Sequence, residues 1–173
     1  VASVAAGWFY TGGPSPYGYA GLGEVFVFVF FGLVATVFSA FVQSEQITLL
    51  AIGAGAAMGL LATALLVVNN LRDIPGDTLS GKRTLAVRLG PPKTRVLYAV
   101  CMLGPFILLM FIAGCSGRLI GAAAFVALPL ANIALTQVFR GAEGQGLIKV
   151  LGRTGQVQLV FGVLLAIGLA IGP

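Results

Sequence analysis

The chain has 173 residues, of which 58% are hydrophobic and only 9% are charged, and its net charge is +5. Soluble domains carry about 25% charged residues, so a water-soluble fold of this size could not cover so much apolar surface. The sequence contains no histidine, which excludes histidine general bases, catalytic triads and histidine metal ligands within it. We therefore expect an all-α integral membrane protein that forms one domain over residues 1–173.

The first 23 residues are rich in glycine, proline and aromatic side chains. Glycine and proline mark turns, whereas aromatic residues such as Tyr10, Tyr17 and Tyr19 suit a membrane interface. We expect residues 1–23 to be a cytoplasmic loop, either an aromatic belt with a turn or a lid over an aromatic or lipid substrate. The chain begins at Val1 without a basic segment, so we expect no signal peptide; the missing methionine suggests a processed or partial chain.

Five apolar windows without a charged residue follow. Each is close to the roughly 20 residues that cross a bilayer as a helix, and each is apolar all round, as lipid-embedded helices are. Gly55 and Gly59 lie four residues apart, a spacing that allows helix backbones to approach closely in lipid. We therefore predict a bundle of about five transmembrane helices. The windows are Val25–Ser44, Thr48–Val68, Val96–Gly117, Leu119–Phe139 and Thr154–Pro173.

The basic residues are distributed unevenly between the connecting segments. Nine of the ten lie in Arg72–Arg95 and Arg140–Arg153, and only Arg118 lies on the opposite side if the five helices alternate. Cytoplasmic loops of membrane proteins carry an excess of lysine and arginine. The sequence therefore predicts a multi-pass protein of the cell membrane in which these two segments and residues 1–23 face the cytoplasm.

Only five acidic residues occur in the chain, and two of them lie directly after the second apolar window. Asp73 and Asp77 are four residues apart, so on a helix both carboxylates would lie on one face. Asn69 and Asn70 would extend this oxygen-rich face toward the membrane. Because Pro75 lies between the two acids and proline disrupts a helix interior, the pair could instead straddle a helix break.

Hard oxygen ligands without histidine or paired cysteines indicate magnesium. Magnesium is normally held by one or two carboxylates together with substrate phosphates, so Asp73 and Asp77 are the predicted metal ligands. Lys82 and Arg83 follow closely and could neutralise the outer oxygens of a diphosphate, assisted by Arg72 and Arg88. Residues 69–95 are accordingly predicted to be a cytoplasmic loop that carries this site.

A purely structural interpretation is also open at this point. A basic cytoplasmic loop is what the positive-inside rule predicts without any function. In that case Asp73 and Asp77 would simply form ion pairs with Arg72, Lys82 or Arg83.

The spelling of the segment favours the functional interpretation. Residues 69–90, NNLRDIPGDTLSGKRTLAVRLG, resemble the second aspartate-rich motif of the UbiA superfamily of membrane prenyltransferases. The segment Tyr10–Glu24 is also similar to the branch of that superfamily that acts on 1,4-dihydroxy-2-naphthoate in menaquinone biosynthesis. The resemblance implies a fold of about nine spanning helices with two such motifs. The five windows would then correspond to helices five to nine, and the sequence lacks the first motif. The N-terminal helices of the same enzyme would be partners of this chain that the sequence does not include.

The resemblance implies transfer of a polyprenyl chain from its diphosphate to 1,4-dihydroxy-2-naphthoate, with loss of carbon dioxide, giving a demethylmenaquinone. It implies Mg²⁺ on Asp73 and Asp77, with these two residues and Lys82 as the catalytic residues. The implied partners are the two substrates and the lipid bilayer, with no nucleic acid. The implied substrate-binding residues are Tyr10, Tyr17, Tyr19, Asn69, Asn70, Arg72, Lys82 and Arg83.

Two alternatives to this assignment remain. One is another branch of the superfamily, acting on 4-hydroxybenzoate, homogentisate or chlorophyllide. The other is a non-enzymatic membrane protein such as a transporter. Transporters usually carry ionisable residues inside a spanning helix, and the five windows contain none.

Overall fold

The computed structural model describes residues 2–13, 16–116 and 119–171, and all regular secondary structure in these ranges is helical. The predicted all-α fold is therefore confirmed. The elements in chain order are α1 (Ala2–Thr11), a 3-10 helix (Tyr17–Ala20), α2 (Gly23–Val27), a π-helical stretch (Phe28–Val34), α3 (Ala35–Ser44), α4 (Leu49–Leu79), α5 (Leu85–Ser116), a second 3-10 helix (Leu119–Ala127), α6 (Leu128–Phe139) and α7 (Gln145–Ile171).

Four helices in the described ranges are long and apolar enough to cross a bilayer. One of them is the continuous helix Gly23–Ser44, made of α2, the π-helical stretch and α3 and called the α2–α3 helix below; the others are α4, α5 and α7. The fourth predicted window forms only a shorter apolar helix, Ala123–Phe139. The predicted membrane bundle is thus confirmed, with four long spans and one short helix.

Local signals set where the α2–α3 helix ends and α4 begins. Glu45 adopts the left-handed conformation with φ of 56°, and its N–H donates to the carbonyl of Phe41 at 2.7 Å. Thr48 then caps α4, because its Oγ1 accepts a hydrogen bond from the N–H of Ala51 at 3.1 Å. Such a side-chain cap satisfies one of the free N–H groups at a helix start.

Residues 69–95 are mostly helical, which corrects the predicted loop. α4 continues through Pro75 to Leu79 and α5 starts at Leu85, so only residues 80–84 connect the two helices. Pro75 removes a single intrahelical hydrogen bond, the one to the carbonyl of Leu71, and it lies near the polar end of the helix. The helix break considered at Pro75 is therefore absent, and Asp73 and Asp77 lie on one helix.

The described part of residues 1–23 is also largely helical, where the sequence predicted a loop. It contains α1 and the first 3-10 helix, which are held together by a hydrogen bond from the Tyr17 hydroxyl to the carbonyl of Ala6 at 2.6 Å. The glycines do mark turns, since Gly13 and Gly21 both have φ of 82°. The stretch before them contains no proline, and Gly7 is its only glycine before Gly12, so little in it opposes a helix.

The core of the bundle is organised around α4, which packs against the α2–α3 helix, α5 and α7. Aromatic contacts contribute on the α5 and α7 side, where the rings of Phe106 and Phe161 meet edge to face with centroids 5.4 Å apart. The largest fully buried side chains include Leu61, Val67, Tyr98, Met102, Leu109, Val157 and Phe161.

The α2–α3 helix crosses α4 at very short distance. A Cβ atom added to Gly32 would lie 2.3 Å from the Cα of Gly59 and 2.7 Å from the carbonyl oxygen of Gly55. Only glycine permits this approach, since any side chain would overlap backbone atoms of α4. The close approach predicted from the spacing of Gly55 and Gly59 is thus confirmed, and Gly32 is its partner.

A buried hydrogen bond links α5 and α7, and substituting one or the other of its two residues should lower stability by different amounts. The hydroxyl groups of Tyr98 and Thr154 are 2.7 Å apart, and Thr154 donates to the carbonyl of Val150 at 2.9 Å. Thr154→Val leaves the Tyr98 hydroxyl unpaired and should cost about 1–3 kcal/mol. Tyr98→Phe leaves Thr154 bonded to Val150 and should cost about 0.5–1 kcal/mol.

Unfolding of the two variants in detergent, followed by circular dichroism, measures this difference. Equal losses, or a larger loss for Tyr98→Phe, would contradict the asymmetry expected from the second hydrogen bond of Thr154.

Candidate active site

A polar cavity of about 160 Å³ lies at the end of the bundle where α4 ends. Its walls come from α1, the first 3-10 helix, the last three turns of α4 and the segment that connects α4 to α5. Seven of the predicted site residues line it, and Gly18 and Thr84 complete the wall. The seven are Tyr10, Tyr19, Asn69, Asn70, Asp73, Asp77 and Lys82.

The helical course of α4 brings four of its polar residues to this cavity. Near the end of the helix, Asn69 and Asn70 lie four and three residues before Asp73, and Asp77 lies four residues after it. Positions with this spacing share one helix face, and all four residues line the cavity. The prediction that both carboxylates share a face is therefore confirmed.

Each of the two carboxylates also has a cationic partner. Arg72 donates through Nε to Oδ1 of Asp73 at 2.7 Å and through Nη2 to Oδ2 at 2.8 Å. Lys82 Nζ lies 3.4 Å from Oδ1 of Asp77. The ion pairs expected from the structural interpretation thus exist, but they do not exclude a cation site. An ionised carboxylate has about four acceptor positions, and both carboxylates line the cavity.

Contacts with the segment Tyr10–Glu24 also hold Lys82 at the cavity. Its Nζ lies 4.8 Å from the centroid of the Tyr19 ring, within the range of a cation–π interaction. The N–H of Arg83 donates to the carbonyl of Tyr19 at 3.0 Å. These contacts join the two segments on which the family resemblance rests.

Gly21 makes this junction sterically feasible. It has φ of 82°, which favours glycine. A Cβ at this position would lie 3.3 Å from the carbonyl oxygen of Arg83 and from the N–H nitrogen of Leu85. A larger residue would therefore push the 3-10 helix away from the connecting segment that carries Lys82.

A second, apolar cavity of about 580 Å³ lies beside the polar one. Tyr10 lines both cavities, whereas Tyr17 lines only the apolar one. The Tyr17 ring stacks on Phe26 with centroids 3.8 Å apart. Burial, and secondarily the nearby Glu24 carboxylate, raises the pKa of Tyr10 above its usual value, so its hydroxyl is a neutral hydrogen-bond donor at physiological pH. The apolar lining also includes Phe30, Phe31, Val34 and Ala35.

The predicted site residues Arg72 and Arg83 are not among the described residues that line the polar cavity. Glu24, by contrast, lies at the site but was not predicted to belong to it. Arg72 pairs with Asp73, and the side chain of Arg83 is exposed and is not among the described cavity-lining residues. Glu24 lies directly behind the cavity wall, where it accepts a hydrogen bond from Asn70. Its rarity as one of five acids, at the border of an apolar window, is a signal that could have identified it.

The oxygen donors at the cavity fit the ligand preference of Mg²⁺. Asp73 and Asp77 supply two carboxylates, and the adjacent asparagines supply amide oxygens, all hard ligands. Within the described residues, no group of three or more histidine, cysteine, aspartate or glutamate side chains could hold a metal ion. One or two carboxylates are the usual number where substrate phosphates complete the coordination shell.

Fold and site together define a class of protein: a membrane-embedded helical bundle with a carboxylate- and lysine-lined cavity next to an apolar one. The sequence pattern of the UbiA prenyltransferase family matches residues 1–154. The chain therefore belongs to the UbiA prenyltransferase family, as the two motif segments predicted.

Several relatives of the chain carry assigned names. The chain is 43% identical to a 1,4-dihydroxy-2-naphthoate octaprenyltransferase of Mycobacterium tuberculosis over 98% of its own length and 57% of that protein. For the protein of the same name from Escherichia coli the identity is 36%, over 96% and 54% of the two chains. UbiA prenyltransferase domain-containing protein 1 of Gallus gallus is 29% identical, over 98% and 49%. The chain thus spans about half the length of the curated relatives it matches.

Proposed function

We propose that the protein containing this chain transfers a polyprenyl chain from its diphosphate to 1,4-dihydroxy-2-naphthoate. The observation that carries the proposal is the convergence of Asp73, Asp77 and Lys82 on one polar cavity that shares Tyr10 with an apolar cavity. A prenyl diphosphate has the matching division into a charged head and an apolar tail. The names of the relatives from Mycobacterium tuberculosis and Escherichia coli support the choice of acceptor.

In this proposal the polar cavity binds the diphosphate end of the substrate. Asp73 and Asp77, with an amide oxygen of Asn69 or Asn70, would hold Mg²⁺. The metal, when bound, supplies positive charge that stabilises the leaving diphosphate. Lys82 binds the remaining phosphate oxygens as a point charge, and Arg72 lies next to the same face of α4. Where Asp73 binds a metal ion, the guanidinium of Arg72 gains freedom to contact the diphosphate.

The apolar cavity would receive the part of the substrate that has no charge. Its aromatic and aliphatic lining suits an isoprenoid chain near the reacting carbon. The allylic C–O bond breaks with its electron pair passing to the diphosphate, and the electron-rich ring forms the new C–C bond. Carbon dioxide leaves from the same ring carbon and returns its electron pair to the ring, which gives the reduced form of a demethylmenaquinone.

The membrane orientation is part of the proposal. Two contacts support it: the N–H of Arg83 donates to the carbonyl of Tyr19 at 3.0 Å, and Arg95 Nη2 lies 4.0 Å from Glu143 Oε1. These contacts are consistent with residues 1–23, 72–95 and 140–153 lying at one end of the bundle. Because this end carries most of the positive charge, we propose that it faces the cytoplasm in the cell membrane.

An acceptor panel tests the proposed activity. The intact protein in detergent receives Mg²⁺, a polyprenyl diphosphate and one acceptor at a time: 1,4-dihydroxy-2-naphthoate, 4-hydroxybenzoate, homogentisate or chlorophyllide. We expect prenylation of the naphthoate with one carbon dioxide released per product. Preference for another acceptor would assign the protein to another branch, whereas solute flux in liposomes without any prenyl transfer would indicate a transporter.

Substitution of Lys82 tests its contact with the diphosphate. Lys82→Met keeps the length of the side chain and removes its charge. Because a hydrogen bond to a charged group contributes about 1.5–3 kcal/mol, we expect KM for the prenyl diphosphate to rise by roughly 10–150-fold. Steady-state kinetics with the acceptor saturating measures this change. Lys93→Met, at an exposed position of α5 that is not among the described cavity-lining residues, is the control, and an unchanged KM in Lys82→Met would refute the assignment.

A further inference from the structure

Glu24 is a buried acid whose role the proposed reaction does not explain. Its residue surface is only 6% exposed, and it lies in the first turn of α2 at the start of an apolar helix. Acids are rarely buried unless they are paired, and a buried carboxylate without a partner is strongly unfavourable. Glu24 has a partner on α4, because its Oε1 accepts a hydrogen bond from Nδ2 of Asn70 at 3.0 Å.

The direction of this hydrogen bond determines the orientation of the Asn70 amide. An ionised carboxylate accepts hydrogen bonds and cannot donate them, so only the NH₂ end of the amide can face Glu24. The carbonyl end must then point away from Glu24. Asn70 itself lines the polar cavity, and the described residues of the cavity wall do not include Glu24.

The amide orientation matters for what the cavity can bind. The oxygen of an asparagine amide attracts a cation, whereas its NH₂ group carries partial positive charge and repels one. Asn70 lies three residues before Asp73 and seven before Asp77, on the same face of α4. An oxygen directed into the cavity therefore adds a third hard ligand to the two carboxylates.

We propose that Glu24 is a positioning residue that locks the Asn70 amide with its oxygen toward the cavity, so that Asn70 supports the divalent cation bound with the diphosphate. This inference rests on the proposed function, since it assumes a cation at Asp73 and Asp77. A competing explanation is that the bond only pins the α2–α3 helix to α4. The two explanations differ in what a glutamine at position 24 would do.

Glu24→Gln separates them because glutamine retains the size and the hydrogen-bonding capacity of the side chain. A glutamine can both donate and accept, so the two helices stay connected but the Asn70 amide is free to flip. Loss of such an outer partner typically weakens metal binding by about 10–100-fold. We expect this loss for Mn²⁺ binding to the intact protein in the presence of inorganic diphosphate, measured by electron paramagnetic resonance, with an unchanged melting temperature.

A reciprocal exchange should restore the site. In the double variant Glu24→Gln/Asn70→Asp, the introduced amide donates to the introduced carboxylate, whose second oxygen then faces the cavity. We expect Mn²⁺ affinity near that of the unmodified protein. Glu45→Gln, at an exposed acid in the turn before α4, is the matched control and should change nothing.

The outcomes distinguish this inference from the proposed function. If the unmodified protein binds no Mn²⁺ with diphosphate, the metal assignment itself fails. If it binds Mn²⁺ and Glu24→Gln binds it equally well, only the positioning role of Glu24 is overturned. Equal loss in Glu24→Gln and in the double variant would also overturn it, because the exchange restores an oxygen at the cavity.

Discussion

Asp73→Asn and Asp77→Asn are each expected to lower the rate of magnesium-dependent prenyl transfer by about 10²–10³-fold, the effect of losing one preorganised stabilising group at a developing charge. Each substitution keeps the side-chain volume and removes one negative charge from the cavity that both residues line. The expected loss is in kcat as well as in the Mg²⁺ concentration that gives half-maximal activity. Initial rates over a Mg²⁺ titration, with the intact protein, measure both quantities.

Folding should not account for the loss of activity in Asp73→Asn. Arg72 and Asp73 are both partly exposed, and exposed ion pairs contribute little to stability. Glu143→Gln is the control, since Glu143 is an acid with a side chain that is 86% exposed and is not among the described cavity-lining residues. Activity retained by both aspartate variants would eliminate the metal site.

The double variant Asp73→Asn/Asp77→Asn sharpens this test. If both carboxylates hold one metal ion, its loss is nearly complete after either substitution, so the double variant should be little worse than the single ones. If the two residues instead act independently, for example through separate ion pairs with Arg72 and Lys82, the fold-loss in rate of the double variant should be the product of the two single fold-losses.

The sequence was sufficient to predict the part of the site that depends on one helix. The four-residue spacing of Asp73 and Asp77 places them on a common face wherever the chain is helical, and this conclusion needs no knowledge of other elements. Charge-free windows likewise predicted the bundle, because a bilayer requires long apolar helices. Family membership followed from the spelling of the two motif segments.

Features that depend on contacts between distant segments could not be predicted in this way. Glu24 and Asn70 are 46 residues apart in sequence, and no local pattern indicates that they form a hydrogen bond. The apolar cavity depends similarly on how α1 and the first 3-10 helix are placed beside the α2–α3 helix, since residues of all three line it. Proline statistics left the course of the chain at Pro75 open, and the structure shows that α4 continues through it to Leu79.

The position of the α2–α3 helix therefore determines much of the site. This helix carries Glu24 near its start and Phe26 and Phe30 in the wall of the apolar cavity. Its contact with α4 is closest at Gly32, two helical turns beyond Glu24. A change at that crossing should consequently affect both the stability of the bundle and the cavity, although no residue there contacts the polar site.

Gly32→Ala is expected to destabilise the protein by about 3 kcal/mol, at the upper end of the range for overpacked sites. The added methyl group would lie 2.3 Å from the Cα of Gly59 and 2.7 Å from its backbone nitrogen. Backbone atoms in the middle of α4 cannot turn aside as a flexible side chain can, so the two helices must separate. Separation also moves Glu24 away from Asn70, and Mn²⁺ affinity should therefore fall together with the melting temperature.

Gly152→Ala is the matched control for this substitution. Gly152 lies within α7, and a Cβ there would meet no atom within 4 Å. Alanine is favoured over glycine in a helix by about 0.5–1 kcal/mol, so this variant should be slightly more stable than the unmodified protein. Thermal unfolding of both variants in the same detergent gives the comparison. If Gly32→Ala is as stable as Gly152→Ala, the α2–α3 helix does not cross α4 at the short distance described, and the coupling between that crossing and the site fails with it.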